Sequence, residues 1–187
     1  MKAIRQTILI ITLITMTTFF CGVWTAGADT GAEIDRDVDV FIEKLYAGSP
    51  AAAKLSKVAK GMLVFPNVVK AGMIVGGQYG QGALRIGGKT AGYYNTVAAS
   101  YGLQAGVQSF GYAMFFMTDE GLKYLNNSAG WEIGVGPSVV VVDEGLASSM
   151  TTTTTQDDIY VFFFDQKGLM AGLGLQGSKI TQINPDK

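Results

Sequence analysis

From Thr30 to Tyr46 the apolar residues Ile34, Val38, Phe41, Ile42, Leu45 and Tyr46 recur at steps of three and four, which keeps them on one face of an α-helix. Thr30 and Glu33 have the spacing of a capping box, and Gly48 is a stop signal. Ser49 and Pro50 then suit the N-cap and first position of a second, shorter helix running to about Lys60. On that helix Leu55, Val58, Ala59 and Met62 fall on one side, while Lys54, Lys57 and Lys60 line the other.

Beyond Gly61 the pattern shortens to runs of Val, Ile, Tyr, Phe and Leu broken by glycine, which is the grammar of strands. Strands are predicted at 61–65, 69–76, 80–86, 89–96, 98–107 and 110–117, then at 131–135, 138–142, 159–165, 168–175 and 179–183. Gly87-Gly88 is a two-residue hairpin signal, because both central positions of a type I′ turn need positive φ. Thr118-Asp119-Glu120 opens a short helix over about 119–126. The uninterrupted runs Val139 to Val142 and Ile159 to Phe164 predict strands buried on both faces or central in a sheet. Between them, Asp143 to Asp158 with its five threonines at Thr151 to Thr155 is either a mobile loop or an extended edge hairpin. The expected class is α+β: a mainly antiparallel, curled or barrel-like sheet with two N-terminal helices and one short helix near 119–126.

Residues 1–28 have the form of a cleaved secretory signal. Lys2 and Arg5 form a positive start, Thr7 to Phe20 is apolar, and Ala26-Gly27-Ala28 supplies a small-residue cleavage site. The rival reading is a lipid anchor at Cys21, against which Phe20 stands where lipoprotein processing needs a small residue. A periplasmic or secreted protein is therefore expected, one domain over 29–187 with helices in 30–60 and a β-rich body in 61–187. The single cysteine would leave with the signal, so stability has to come from a packed core.

Charge is distributed in blocks. Residues 29–50 carry two basic and six acidic side chains, 51–118 six basic and none acidic, and 119–187 four basic and nine acidic. The middle block holds Lys54, Lys57, Lys60, Lys70, Arg85 and Lys89, which are the candidate lipid-binding residues, since a positive surface attracts an anionic partner. The expectation depends on these cations converging on one side of the fold; solvated, scattered lysines are the plainer alternative.

No histidine occurs, which removes the usual general base, the commonest zinc ligand and any Ser/His/Asp triad. The acidic pairs Asp119-Glu120, Asp143-Glu144 and Asp157-Asp158 stand beside turns or helix starts and lack calcium-loop spacing. No enzyme activity, catalytic residue, metal or cofactor is expected. Ala83 to Thr90 loosely matches a phosphate-binding loop, but that chemistry needs a helix after the glycines, and here a second strand follows. Interleaved tyrosines could stack on nucleic acid, yet aromatic residues in strands more often pair across the sheet, so no nucleic-acid partner is expected.

Across Leu55 to Ile183 the chain resembles the SYLF family, also described as the Ysc84-type actin-binding or lipid-binding domain. The resemblance is carried by Ala59-Lys60-Gly61-Met62-Leu63-Val64-Phe65-Pro66, Lys70-Ala71-Gly72, Gly76-Gly77-Gln78-Tyr79-Gly80, Gly92-Tyr93-Tyr94, Tyr101-Gly102-Leu103-Gln104-Ala105-Gly106, Phe116-Met117-Thr118, Gly130-Trp131-Glu132 and Lys167-Gly168-Leu169-Met170-Ala171. It implies a non-enzymatic domain that binds lipids, phosphoinositides in eukaryotic members, with actin binding in fungal ones and export in bacterial ones. The first helix here is acidic, where the eukaryotic pattern has a basic amphipathic segment. The resulting expectation is association with anionic phospholipid in the cell envelope. The alternatives are a scaffold for an envelope protein partner and a carrier of one apolar ligand.

Overall fold

The computed structural model describes residues 29–72, 75–101, 106–126, 129–150, 156–164, 175 and 177–186. The leader read over 1–28 and the run Thr151 to Thr155 lie outside the described residues. Helix α1 (Gly31–Gly48) starts in the expected capping box: Thr30 Oγ1 accepts from Glu33 N at 3.3 Å, and Glu33 Oε2 accepts from Thr30 N at 2.9 Å. The bonds from Thr30 hold the Glu33 carboxyl below its usual range. Gly31 N donates to Asp186 Oδ1 at 3.0 Å, so the C-terminal residues anchor the first turn of the first helix. Its buried face carries Ile34, Val38, Phe41 and Leu45.

Helix α2 (Pro50–Leu55) is capped by Ser49, as Pro50 predicted, but stops five residues short of Lys60. Two forces end it. Ser56 Oγ donates back to Ala53 O at 3.0 Å, and Lys60 N is taken by Phe116 O at 2.8 Å, which commits the chain to the sheet. Lys57 and Lys60 therefore stand in a turn rather than on a helical stripe, and Val58, expected on the apolar side, is exposed.

Strands β1 (Gly61–Gly72), β2 (Val75–Ile86), β3 (Lys89–Tyr101) and β4 (Gly106–Phe116) are long, where the sequence pattern suggested six shorter ones. The break expected after Phe65 is a β-bulge around Pro66, across which β1 keeps pairing with both β2 and β4. Gly87 (φ 57°) and Gly88 (φ 77°) make the predicted tight turn between β2 and β3. After β4 come α3 (Asp119–Tyr124), β5 (Trp131–Glu132), β6 (Val139–Val142), α4 (Glu144–Ser149), β7 (Ile159–Phe164) and β8 (Lys179–Ile183). The strand read at 131–135 shrinks to two residues because Gly134 and Gly136, both at positive φ, turn the chain. Of the strand read at 168–175 only residue 175 is described.

The strands form one curled sheet in the order β5-β8-β3-β2-β1-β4-β7-β6, antiparallel at every pairing except β6 with β7. This is the expected α+β class. Two local expectations change. The segment from 143 to 158 contains a helix, α4, that the pattern did not predict, and it carries the chain between two parallel strands. Val139 to Val142 also proves to be an edge strand, only partly buried along most of its length, whereas β7 sits inside the sheet.

Two apolar clusters occupy the two faces. The concave one gathers Leu63, Phe65, Leu84, Tyr112, Trp131 and Val161, with the Phe65 and Tyr112 rings 5.0 Å apart. Tyr112 is fully buried; its hydroxyl donates to Thr96 Oγ1 at 3.0 Å, and burial pushes its pKa upward. The convex cluster packs α1 and α2 on Met62, Val64, Ala83, Phe115 and Phe162.

The bulge works only because its neighbours lack side chains. A Cβ on Gly82 would overlap Val64 O, one on Gly111 would meet Pro66 O at 2.6 Å, and one on Gly80 would meet Asn67 O at 2.8 Å. Gly82→Ala should destabilise the protein by about 1–3 kcal/mol in urea titration, the usual range for overpacking. Gly77→Ala, whose new methyl would come no nearer than 3.6 Å to its neighbours, should stay close to the parent.

Candidate functional site

Four of the six candidate cations gather at the end of the sheet where β1 begins and the β2–β3 hairpin turns. Lys57 and Lys60 flank the turn into β1, Arg85 pairs with Met62 across β1 and β2, and Lys89 pairs with Ile86 across the hairpin. A hollow of about 520 Å³ lies between the turn and the hairpin, lined among others by Lys57, Lys60, Tyr46, Arg85, Gly87 and Gly88. Lys54 is exposed on α2 and lines a separate hollow of about 520 Å³ with Leu45, Asp143 and Phe162. Lys70 is not part of the group. It lies eight residues beyond Met62 on the same strand, roughly 26 Å away at the rise of a β-strand.

The gathered cations differ in their freedom. Arg85 is committed to α1: Nη1 lies 2.9 Å from Asp35 Oδ1, Nη2 lies 2.6 Å from Asp39 Oδ1, and Nη2 also donates to Asp35 O at 3.2 Å. Its side chain is only 10% exposed. Asp35 accepts further bonds from Thr90 Oγ1 at 2.8 Å and Tyr93 OH at 2.9 Å, and Arg85 also donates to Thr90 Oγ1. Burial, and then the bond to Asp35, raise the Tyr93 pKa. This network joins the acidic block of the sequence to the basic one and pins α1 across β2 and β3. Among the described residues, Lys57, Lys60 and Lys89 have no ion pair.

Beside these lysines stand two exposed aliphatic residues, one of them, Val58, expected from the sequence pattern on the apolar side of the second helix. Val58 sits between Lys57 and Lys60, and Ile86 precedes the Gly87-Gly88 turn. One protruding turn thus carries an apolar residue between two cations, and the neighbouring hairpin carries an apolar residue beside a third. Asp35 and Asp39 went unread, although a pair of acids four apart on a helix is a recognisable partner for a strand arginine.

The acidic pairs serve the scaffold. Asp119 and Glu120 occupy the first turn of α3, and Asp143 Oδ1 accepts from Leu146 N at 2.7 Å as the cap of α4. Asp158 accepts from Thr118 Oγ1 at 2.8 Å, Ser138 N at 3.0 Å and Ser138 Oγ at 3.1 Å; the first two of these bonds do most to hold its carboxyl below the usual range. Among the described residues no cluster of metal-ligating side chains forms. Ala83 to Thr90 is a strand, turn and strand, so its glycines shape a hairpin and have no helix to follow them. No helix among the described residues is long and apolar enough to cross a membrane.

Residues 97–185 match the family model Ysc84, described as Las17-binding protein actin regulator. All six candidate cations precede that span. A search of the curated proteins finds no match to the chain.

Removing Asp35 leaves Arg85 largely buried with one exposed acid, so Asp35→Ala should cost about 3 kcal/mol in chemical denaturation. Asp39 is 66% exposed, and Asp39→Ala should cost under about 1 kcal/mol. The Asp158 carboxyl titrates lower folded than unfolded, so its contribution is present above the unfolded pKa and lost as pH falls through the folded one. Replacing it in Asp158→Asn should accordingly flatten the loss of stability on acidification, followed by thermal melting across the acid range.

Proposed function

Through residues 97–185 the chain is a member of the Ysc84 (SYLF) family, and we propose that it is a non-enzymatic protein that attaches reversibly to anionic phospholipid in the cell envelope to which it is exported. The observation that carries this reading is the cationic end of the sheet: Lys57, Lys60 and Lys89 with no ion pair among the described residues, and Val58 and Ile86 exposed between and beside them. Lysines draw the protein to the surface, and the two aliphatic side chains enter the headgroup layer, where an apolar tip flanked by cations is stable. Lys54 adds charge from α2. Lys70 and Arg85 contribute less, the first by distance and the second because α1 already neutralises it.

Each cation near an anionic surface is worth about 1 kcal/mol, screened by salt. Three such residues and two aliphatic contacts give weak, reversible attachment.

The family description favours a protein partner as a second reading, in which the same domain serves as a scaffold. Ionic strength separates the two, because lysine-driven attachment fades with salt while an apolar protein interface persists. In sedimentation with phosphatidylglycerol-rich vesicles, Lys57→Glu, Lys60→Glu and Lys89→Glu together should lower affinity by about a hundredfold at low salt. Unchanged binding in that triple variant removes the cationic end from the mechanism.

A further inference from the structure

Beyond Asn67, Gln81 and Asn95 the four long strands present a second surface, at the end of the sheet opposite the lysines. Strand pairing sets Val69, Tyr79 and Val97, with Ser109 at the β4 end, in one outward row, and Val107, Ala71 and Ala99, with Gly77 between the alanines, in the next. The six apolar side chains are exposed, Val107 at 74%. Neither row carries a charge across β1–β4; Lys179 of β8, paired with Val97, borders the first, and so does Asp29, whose N donates to Gln81 Oε1 at 3.3 Å and whose carboxylate lies near enough to Tyr79 to help raise its pKa, after burial.

The other face of the sheet at this level is polar. Lys70 pairs with Gln78 and Gln108 on the side shared with buried Val68 and Phe110, and Gln78 is buried, donating to Ser178 Oγ at 3.0 Å. The near half of the same strands has apolar residues on both faces, one forming the concave core and the other lying under α1 and α2. Along each strand the polarity therefore changes, until the far half is apolar outside and polar inside. That arrangement is disfavoured in water and is the one a sheet adopts where its outer face meets lipid.

We propose that this outer face seats in the boundary between acyl chains and headgroups of a lipid bilayer, as an interfacial contact that does not span. Interfacial elements bury about 5–10 Å, and the two apolar rows lie about 7 Å apart along the strands. The row of Asn67, Gln81 and Asn95 marks the limit of entry. A second copy of the chain is a poor occupant. The two rows over four strands cover about 19 Å by 14 Å, under roughly 300 Å², against about 800 Å² per partner in a stable association.

The proposal takes its lipid class from the reading above and nothing from the lysines, so neutral vesicles in high salt test it separately. With phosphatidylcholine vesicles carrying brominated acyl chains, the tryptophan emission added by Tyr79→Trp should be strongly quenched. Val69→Asp with Val107→Asp should lower partitioning by about tenfold, the scale of two exposed valines, at an unchanged melting temperature. The milder Val107→Ser should weaken it in the same direction if the double variant melts early. The variant with Lys57, Lys60 and Lys89 changed to Glu should keep the quenching. Absence of quenching, or parent-like partitioning of the valine variants, overturns the proposal and leaves the lysine reading standing. Self-association without lipid that the valine changes abolish would give the face to a second copy and overturn it as well. Quenching together with lysine-independent binding to anionic vesicles upholds the proposal and sinks the lysine reading alone.

Discussion

The sheet depends on one bend. At Phe65 to Asn67 the central strand β1 bulges while remaining paired on both sides, and its displaced carbonyls need space that only glycine leaves on the strands beside it. Gly80 and Gly82 on β2 and Gly111 on β4 supply that space, so three residues scattered through the sequence answer to a single feature of β1. The bend lets four long strands curl enough to enclose Phe65, Tyr112 and Trp131 on one side while offering Met62, Val64 and Phe115 to the helices on the other.

Charge follows the same economy. The acidic first helix and the basic middle block look like separate surface properties when counted along the chain. In the fold they meet at Arg85, where Asp35 and Asp39 approach from α1 and Thr90 and Tyr93 complete the hydrogen bonds. One cation of the basic block is thereby absorbed into the scaffold. Lys57, Lys60 and Lys89 keep their charge available at the rim beside it.

Much of the scaffold was legible in the sequence because its signals are local. The Thr30–Glu33 box, Ser49-Pro50, Gly87-Gly88 and the start of α3 each depend on residues within a few positions of one another, and each stands where the pattern put it. Misreadings arose where tertiary contacts decided. Pro66 and the glycines of β2 look like interruptions until the strands they serve are side by side. Lys60 looks helical until Phe116 O claims its amide. The valine run of β6 has the composition of a central strand, and only the sheet order makes it an edge. For the candidate site, residue type was readable and location was not: periodicity could not separate Lys70 from the other cations, nor join Asp35 to Arg85 fifty residues away.

The reversal of polarity along β1–β4 also divides the molecule by firmness. Leu63, Val64 and Met114 are locked between two apolar layers, whereas Val69, Tyr79 and Val107, a few residues along the same strands, have solvent on their outer side. A one-residue slip would turn Lys70 and Gln78 toward water, and the outer half by itself has little reason to resist it. The inner half must therefore dictate alignment for the whole ribbon. Rigidity and pliability here belong to positions along a strand, so each of the four long strands has a stiff root and a yielding tip.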